Sequence, residues 1–235
     1  MVTKRQAGLL GPAAVVVLLL VASCSLGASA PTTDPVKELK SAGTALAAIK
    51  SGAVDLKFGP GATLFGFELV SATAKVKLPG DTDATIKAKQ QDSLLEIEVV
   101  SVGGNVYLRL PFIGFQQASA AEAAGLPSVG SVFDATKGLP AVLPTGKSPK
   151  LEGTETISGI DCWKISTTFT ADQVAQAVQP LQPKGDIPAT LWVGRSDHLL
   201  RKAVLSGHLF DATKTTTIEV RLHDFNADFN IAKPV

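Results

Sequence analysis

Cys24 is the residue of this chain whose neighbours prescribe a covalent reaction. Lys4 and Arg5 stand near the start, Ala13-Ala14-Val15-Val16-Val17-Leu18-Leu19-Leu20 form a short apolar run, and Val21-Ala22-Ser23 place small side chains directly before the thiol. A positive start, an apolar middle and small residues at a cleavage point make a secretory signal. Cysteine in the next position adds a nucleophile. Val21-Ala22-Ser23-Cys24 resembles a bacterial lipobox, in which the thiol takes a diacylglyceryl group and the cysteine becomes the new, acylated N-terminus. The alternatives are a plain secretory signal with an incidental cysteine and an uncleaved membrane helix. Leu9 to Ala22 is about 14 residues, short of the roughly 20 needed to cross a bilayer core, which disfavours the helix. Two chains on one thiol, usually with a third on the amine, hold firmly where one binds only marginally. Residues 1–23 are thus expected to be a lipoprotein signal peptide, and the mature protein to be held by Cys24 on the outer face of the cell membrane.

Elsewhere the chain shows no spacing that carries catalysis. Gly-x-Ser-x-Gly, Ser-x-x-Lys, His-Glu-x-x-His and phosphate-cradling glycine loops are absent from it. His198, His208 and His223 fall in or beside the last strand-like stretch, at positions that alternation places mostly on the surface. Glu96 and Glu98 sit two apart on one strand and face solvent. No catalytic residue, metal site or cofactor is expected, and the chain reads as a protein other than an enzyme.

Removing residues 1–23 takes Lys4 and Arg5 from the 22 basic residues, leaving 20 against 21 acidic. That balance argues against nucleic acid as a partner, which needs a clustered basic surface. The remaining length suits a single domain with a real core, expected as a monomer. With Cys24 consumed by lipid, Cys162 has no partner for an intramolecular disulfide and reads as a small buried core thiol.

These observations frame the elements. Residues 25–33 are small and polar, so 24–33 read as a flexible tether and 34–235 as the domain. Asp34 looks like an N-cap and Pro35 an N1 residue, with Val36, Leu39, Gly43, Leu46 and Ile49 at helical spacing and Gly52 as a stop. The period then switches to two. Five strands joined by short turns follow between Val54 and Leu110, an antiparallel meander with one apolar face. Residues 111–150 are rich in Gly, Pro and Ala; a loop of that length is usually functional or disordered. A short helix between Asp134 and Leu143 is limited by Pro140. Strands resume from Thr154 to Thr168 around a turn at Ser158–Asp161, Thr170 and Gln173 make a capping box for a second helix, and a final meander runs from Ala189 to Leu222. The fold class is α+β. About 10–11 antiparallel strands form a strongly bent sheet, an open half-barrel wrapped around a few helices, because one apolar sheet face needs cover.

Several inward positions carry small residues: Ala72, Ala74, Ala84, Ala88 and Ala203. Small residues either let a helix pack closely or leave an apolar space roofed by the long loop, and the pattern is compatible with both. If a space exists, the first meander would line it with Val70, Ala72, Ala74, Val76, Ile86, Leu95, Ile97, Val99, Val106 and Leu108.

The order of elements resembles the LppX/LprG-type (LppX_LprAFG) lipoproteins of mycobacteria and related bacteria. The resemblance rests on the lipobox ending at Cys24; Gly103-Gly104-Asn105-Val106-Tyr107-Leu108; Gly138-Leu139-Pro140-Ala141-Val142-Leu143; Glu152-Gly153-Thr154-Glu155-Thr156-Ile157-Ser158-Gly159 leading into Trp163-Lys164-Ile165-Ser166; Ile187-Pro188-Ala189-Thr190-Leu191-Trp192-Val193 followed by Asp197-His198-Leu199-Leu200-Arg201; and Asn230-Ile231-Ala232-Lys233-Pro234. It implies a fold similar to the periplasmic carriers LolA and LolB, with a hydrophobic cavity. It also implies an acylated lipid or glycolipid as ligand, carriage across the cell envelope and, in some members, a membrane exporter as partner. Two departures stand out: Phe112–Gly125 is Ala-rich and lacks a tryptophan, and Cys162 sits beside a turn. The competing readings are a non-transporting structural or signalling lipoprotein with a packed interior, and a chaperone for other lipoproteins.

Overall fold

Asp34 caps the first helix as its side chain accepts from the Val36 and Lys37 amides, and Pro35 begins helix α1, Pro35–Ala47. The computed structural model describes residues 32–234 apart from 65, 92, 111–112, 126–128 and 179–180. The leader, Cys24 and tether residues 25–31 lie outside the described residues. α1 buries Leu39, Ala42, Gly43 and Leu46, and Gly43 approaches so closely that an added Cβ would lie 2.6 Å from the Pro140 carbonyl oxygen. Two details depart from the sequence expectation. Val36 is exposed while Glu38 is buried, because Glu38 turns inward to His198. The helix ends at Ala47, and Gly52 lies inside the first strand, where a Cβ would press on the Phe133 ring at 3.0 Å.

Twelve strands follow: β1 Ser51–Phe58, β2 Thr63–Leu64, β3 Phe67–Lys77, β4 Asp81–Gln90, β5 Ser93–Val102, β6 Asn105–Arg109, β7 Gln116–Gln117, β8 Lys147–Ile157, β9 Ile160–Thr170, β10 Asp186–Gly194, β11 Leu200–Gly207 and β12 Thr216–His223. The two-residue strands β2 and β7 carry the number past the 10–11 expected. Three more α-helices stand among the described residues, α2 Ala120–Gly125, α3 Leu139–Val142 and α4 Ala171–Ala177.

All neighbouring strands pair antiparallel, in the order β7-β6-β5-β4-β3-β1-β12-β11-β10-β9-β8, with β2 paired to β3. One meander forms each wing. They meet at the centre, where β1 pairs with β3 on one side and β12, from the far end of the chain, on the other. The ordering ends at β7 and β8, so the sheet is an open half-barrel rather than a closed one. Edge strand β8 carries Pro149, exposed lysines Lys147 and Lys150, and two register shifts against β9, features that discourage further strand addition.

The segment between the wings is not a loose loop. Val129–Phe133 forms a 3-10 turn, α3 follows, and Val132, Phe133, Val142 and Leu143 are all buried with the core. β8 then begins at Lys147, earlier than Thr154. The Thr170–Gln173 capping box is present with both hydrogen bonds and starts α4, whose Val174 and Ala177 face inward.

α1 closes one end of the half-barrel. Its first turn reaches the β10–β11 turn through Glu38 and His198, and Lys50 beyond its last turn donates its amide to Asn226 after β12. Residues 31–235 make one compact unit, and its main hydrophobic cluster runs from Leu39 to Leu222.

Candidate functional site

The concave face is not filled. A cavity of about 310 Å³ lies between the sheet, the 132–143 segment and α4, and every described residue lining it is apolar. Cross-strand register explains its wall. Ile97, Ile86, Ala72, Leu56, Val220, Ala203 and Leu191 stand directly opposite one another on successive strands, one continuous row across β5-β4-β3-β1-β12-β11-β10. All seven line the cavity. A second row, Ala88, Leu69, Phe58, Ile218 and Leu205, lies one pleat further toward the β2–β3 hairpin and lines it too. Val132, Leu139, Val142 and Leu143 form the roof, with Val174, Ala177 and Val178 of α4 and its end alongside.

Of the ten residues named from the sequence, Ala72, Ile86, Ile97 and Leu108 line this cavity. The others do not. Val70 is the unpaired residue of a β-bulge: Leu69 pairs with Ala88 and Ser71 with Lys87, so the bulge swaps Leu69 onto the wall in its place. Ala74, Val76 and Val99 lie one or two pleats nearer the closed end, buried in the cluster that contains Leu39, Leu46 and Phe133. Val106 packs against the same cluster, half-buried. Leu95 faces the same side as its partner Ala88 but does not line the cavity. Both meanings of the small residues therefore occur: Ala72, Ala88 and Ala203 leave space, whereas Ala74 lets the core close.

A second, more polar cavity of about 230 Å³ sits at the closed end, lined by Leu78–Gly80, Thr82, Ala84, Val99, Ser101, Gly130, Ser131 and Asp134. It shares Ile86 with the first. The Asp134 carboxylate accepts from the Thr136 hydroxyl and from the Thr136 and Lys137 amides, and these bonds hold its pKa below the ordinary carboxylate value.

Several polar groups elsewhere are paired as structure. His198 Nδ1 lies 2.7 Å from Glu38 Oε1, and His223 lies between Asp55 and Asp224 at 3.3 and 3.0 Å. His208 is the inward exception to the expected surface positions, its Nδ1 buried without a hydrogen-bond partner among the described residues. On the other face of the sheet the Trp192 indole donates to Glu155 at 2.9 Å and is flanked by Lys164 and Lys202, its cross-strand partners. The Trp192 bond, helped by Lys164, lowers the Glu155 pKa despite some desolvation. Burial opposes charge on Glu219, but bonds from Arg221 and Lys202 outweigh it and keep that pKa low. Among the described residues no group of His, Cys, Asp or Glu could hold a metal ion.

Cys162 is fully buried and free, its thiol 3.4 Å from the Ile160 carbonyl oxygen. Burial pushes its pKa up, which lowers the thiolate fraction that reacts. A form without Cys24 should show no thiol reactive toward a disulfide reagent when folded and one per chain after unfolding in guanidinium. Prompt labelling of the folded protein would contradict the burial.

Comparison with known proteins places the chain. It is 26% identical over 223 residues to the lipoarabinomannan carrier protein LprG of Mycobacterium bovis BCG, an alignment covering 92% of this chain and 89% of that one. Matches to the proteins of the same name from Mycolicibacterium smegmatis and Mycobacteroides abscessus are 26% and 29% identical over 141 residues, covering 60% of this chain in each case. Those matches span only 57% and 59% of these two relatives. Two crystal structures share the fold: LprF from Mycobacterium bovis, with a TM-score of 0.71 at 20% identity over 88% of this chain and 99% of that one, and the LppX lipoprotein of Mycobacterium tuberculosis, with 0.60 at 22% over 85% and 100%. The profile of the LppX_LprAFG lipoprotein family matches residues 34–231, and the chain belongs to that family.

Proposed function

We propose that this protein is a lipid carrier, anchored to the outer face of the cell membrane through Cys24, that holds the acyl chains of a lipid or glycolipid and carries it across the cell envelope. The observation that carries the reading is the cavity of about 310 Å³ whose described lining is wholly apolar. Such a wall offers a hydroxyl or charge no partner, so the headgroup stays outside it and only hydrocarbon enters. Contact with Ala72, Ile86, Ile97 and Leu108 and with the opposite wing then stabilises the complex by about 25 cal/mol per Å² of apolar surface removed from water, without directional bonds. The name of the LprG relatives, lipoarabinomannan carriers, supports a glycolipid as the ligand class. A membrane exporter would take the cargo onward.

The test is extraction and native mass spectrometry of a soluble form that begins after Cys24, so that lipid found cannot be the anchor. Co-purifying acyl lipid near one equivalent per chain is expected. A protein that emerges lipid-free, and takes none from added acyl lipid, is a packed structural module rather than a carrier.

A further inference from the structure

The cavity lining grows more exposed toward one end, where three of the five exposed large apolar side chains among the described residues also lie. Leu143 and Leu191 under the roof are buried, whereas toward the β2–β3 hairpin and the segment after β6 the large lining residues Leu64, Phe67, Leu69 and Leu108 are half-buried. There Leu110 is 45% exposed and still lines the cavity. α1 shuts the opposite end, so an apolar molecule enters here.

Single exposed leucines are ordinary on a protein surface. Here two more large apolar side chains share the same end. Leu94, 60% exposed, starts the neighbouring strand β5, and Ile113, 47% exposed, closes a turn onto the Leu110 carbonyl. Leu94 points away from the cavity, since its partner is Lys89 while that of Leu95 is the wall residue Ala88. Packing within the sheet does not account for it. Lys57 at the end of β1, Lys89 at the end of β4 and Lys184 before β10 lie at this end as well, exposed and in no ion pair with a described residue.

We infer that this end docks on the surface of an anionic lipid bilayer. Leu94, Leu110 and Ile113 enter the boundary between headgroups and acyl chains, and the three lysines face lipid phosphates, the combination by which interfacial segments bind. Leu110 belongs both to the docking surface and to the cavity wall, so a chain can pass from bilayer to cavity without crossing water. The purpose of the docking rests on the carrier reading; the docking itself does not.

The experiment co-sediments the soluble form from residue 31, which contains the whole compact unit described above, with vesicles of phosphatidylcholine alone or mixed with phosphatidylglycerol. Binding to the mixed vesicles is expected to be the stronger and to weaken as salt is raised. The double variant Leu94→Glu, Ile113→Glu is expected to bind them about tenfold or more weakly, with its thermal unfolding and its uptake of a detergent-delivered fatty acid unchanged. Equal binding to both vesicle types, or a double variant that sediments like the unaltered protein, overturns the inference. Failure of the carrier reading looks different: the unaltered protein takes up no fatty acid, yet its vesicle binding still falls in the double variant.

Discussion

Tryptophan in place of Ile86 is expected to remove co-purifying lipid almost entirely, to about a tenth of the unaltered level or less, while the protein stays folded. Ile86 stands in the row between Ala72 and Ile97 and is shared by both cavities. An indole there projects over Ala72 into space that is now empty. Adding bulk to a filled core costs about 1–3 kcal/mol through forced rotamers and backbone shifts, and here the cavity accepts most of it. The control is a position one pleat away on the same sheet face. Ala74 is buried in the cluster under α1, so Ala74→Trp should lower the thermal unfolding midpoint sharply, a change Ile86→Trp should not show. Extraction with mass spectrometry measures the lipid and thermal unfolding measures the fold. Full lipid content in Ile86→Trp would move the ligand site away from this row.

The contrast between positions 74 and 86 also shows how far the sequence could lead. Local signals were legible because their physics is local: Asp34 and Pro35 announce a helix start, Thr170 with Gln173 closes a capping box, and alternation with short turns yields the two meanders. The half-barrel was legible for a related reason, since one apolar sheet face needs something to cover it. The cavity wall depends instead on long-range register. Leu56, Val220, Ala203 and Leu191 become neighbours of Ala72 because β1 pairs with β12, and no residue spacing within either meander encodes that pairing. Alternation also assumes an unbroken strand. The bulge at Val70 shifts the phase by one residue and brings Leu69 to the wall, although Val70 continues the pattern of Ala72, Ala74 and Val76. Glu38 carried no signal in the sequence for a different reason. A carboxylate on an otherwise apolar helix face reads as solvent-facing until His198, 160 residues away, is seen to meet it. Residues 111–150 have loop composition throughout, yet Val132, Phe133, Val142 and Leu143 are buried like the core residues of the strands.

That last point decides what roofs the cavity, and Phe133→Ala tests it. The Phe133 ring is 2% exposed and reaches beneath β1 to the backbone of Gly52, where it occupies the space a larger residue's Cβ would need. It ties the 129–145 segment to the first strand and belongs to the cluster holding Leu39, Leu46 and Val54. Truncating it deletes a full ring from a close-packed site and is expected to cost about 3–5 kcal/mol. Single domains commonly have only about 5–15 kcal/mol in total, so the urea midpoint should fall sharply with little change in slope. A roof that merely rested on the sheet would give another result. It would lose under about 1 kcal/mol and leave the global midpoint almost unmoved, because opening it would be a local event that spares the core. A large global loss makes the roof part of the core. Cargo must then exchange through the open end beside Leu110 rather than under a lifting segment.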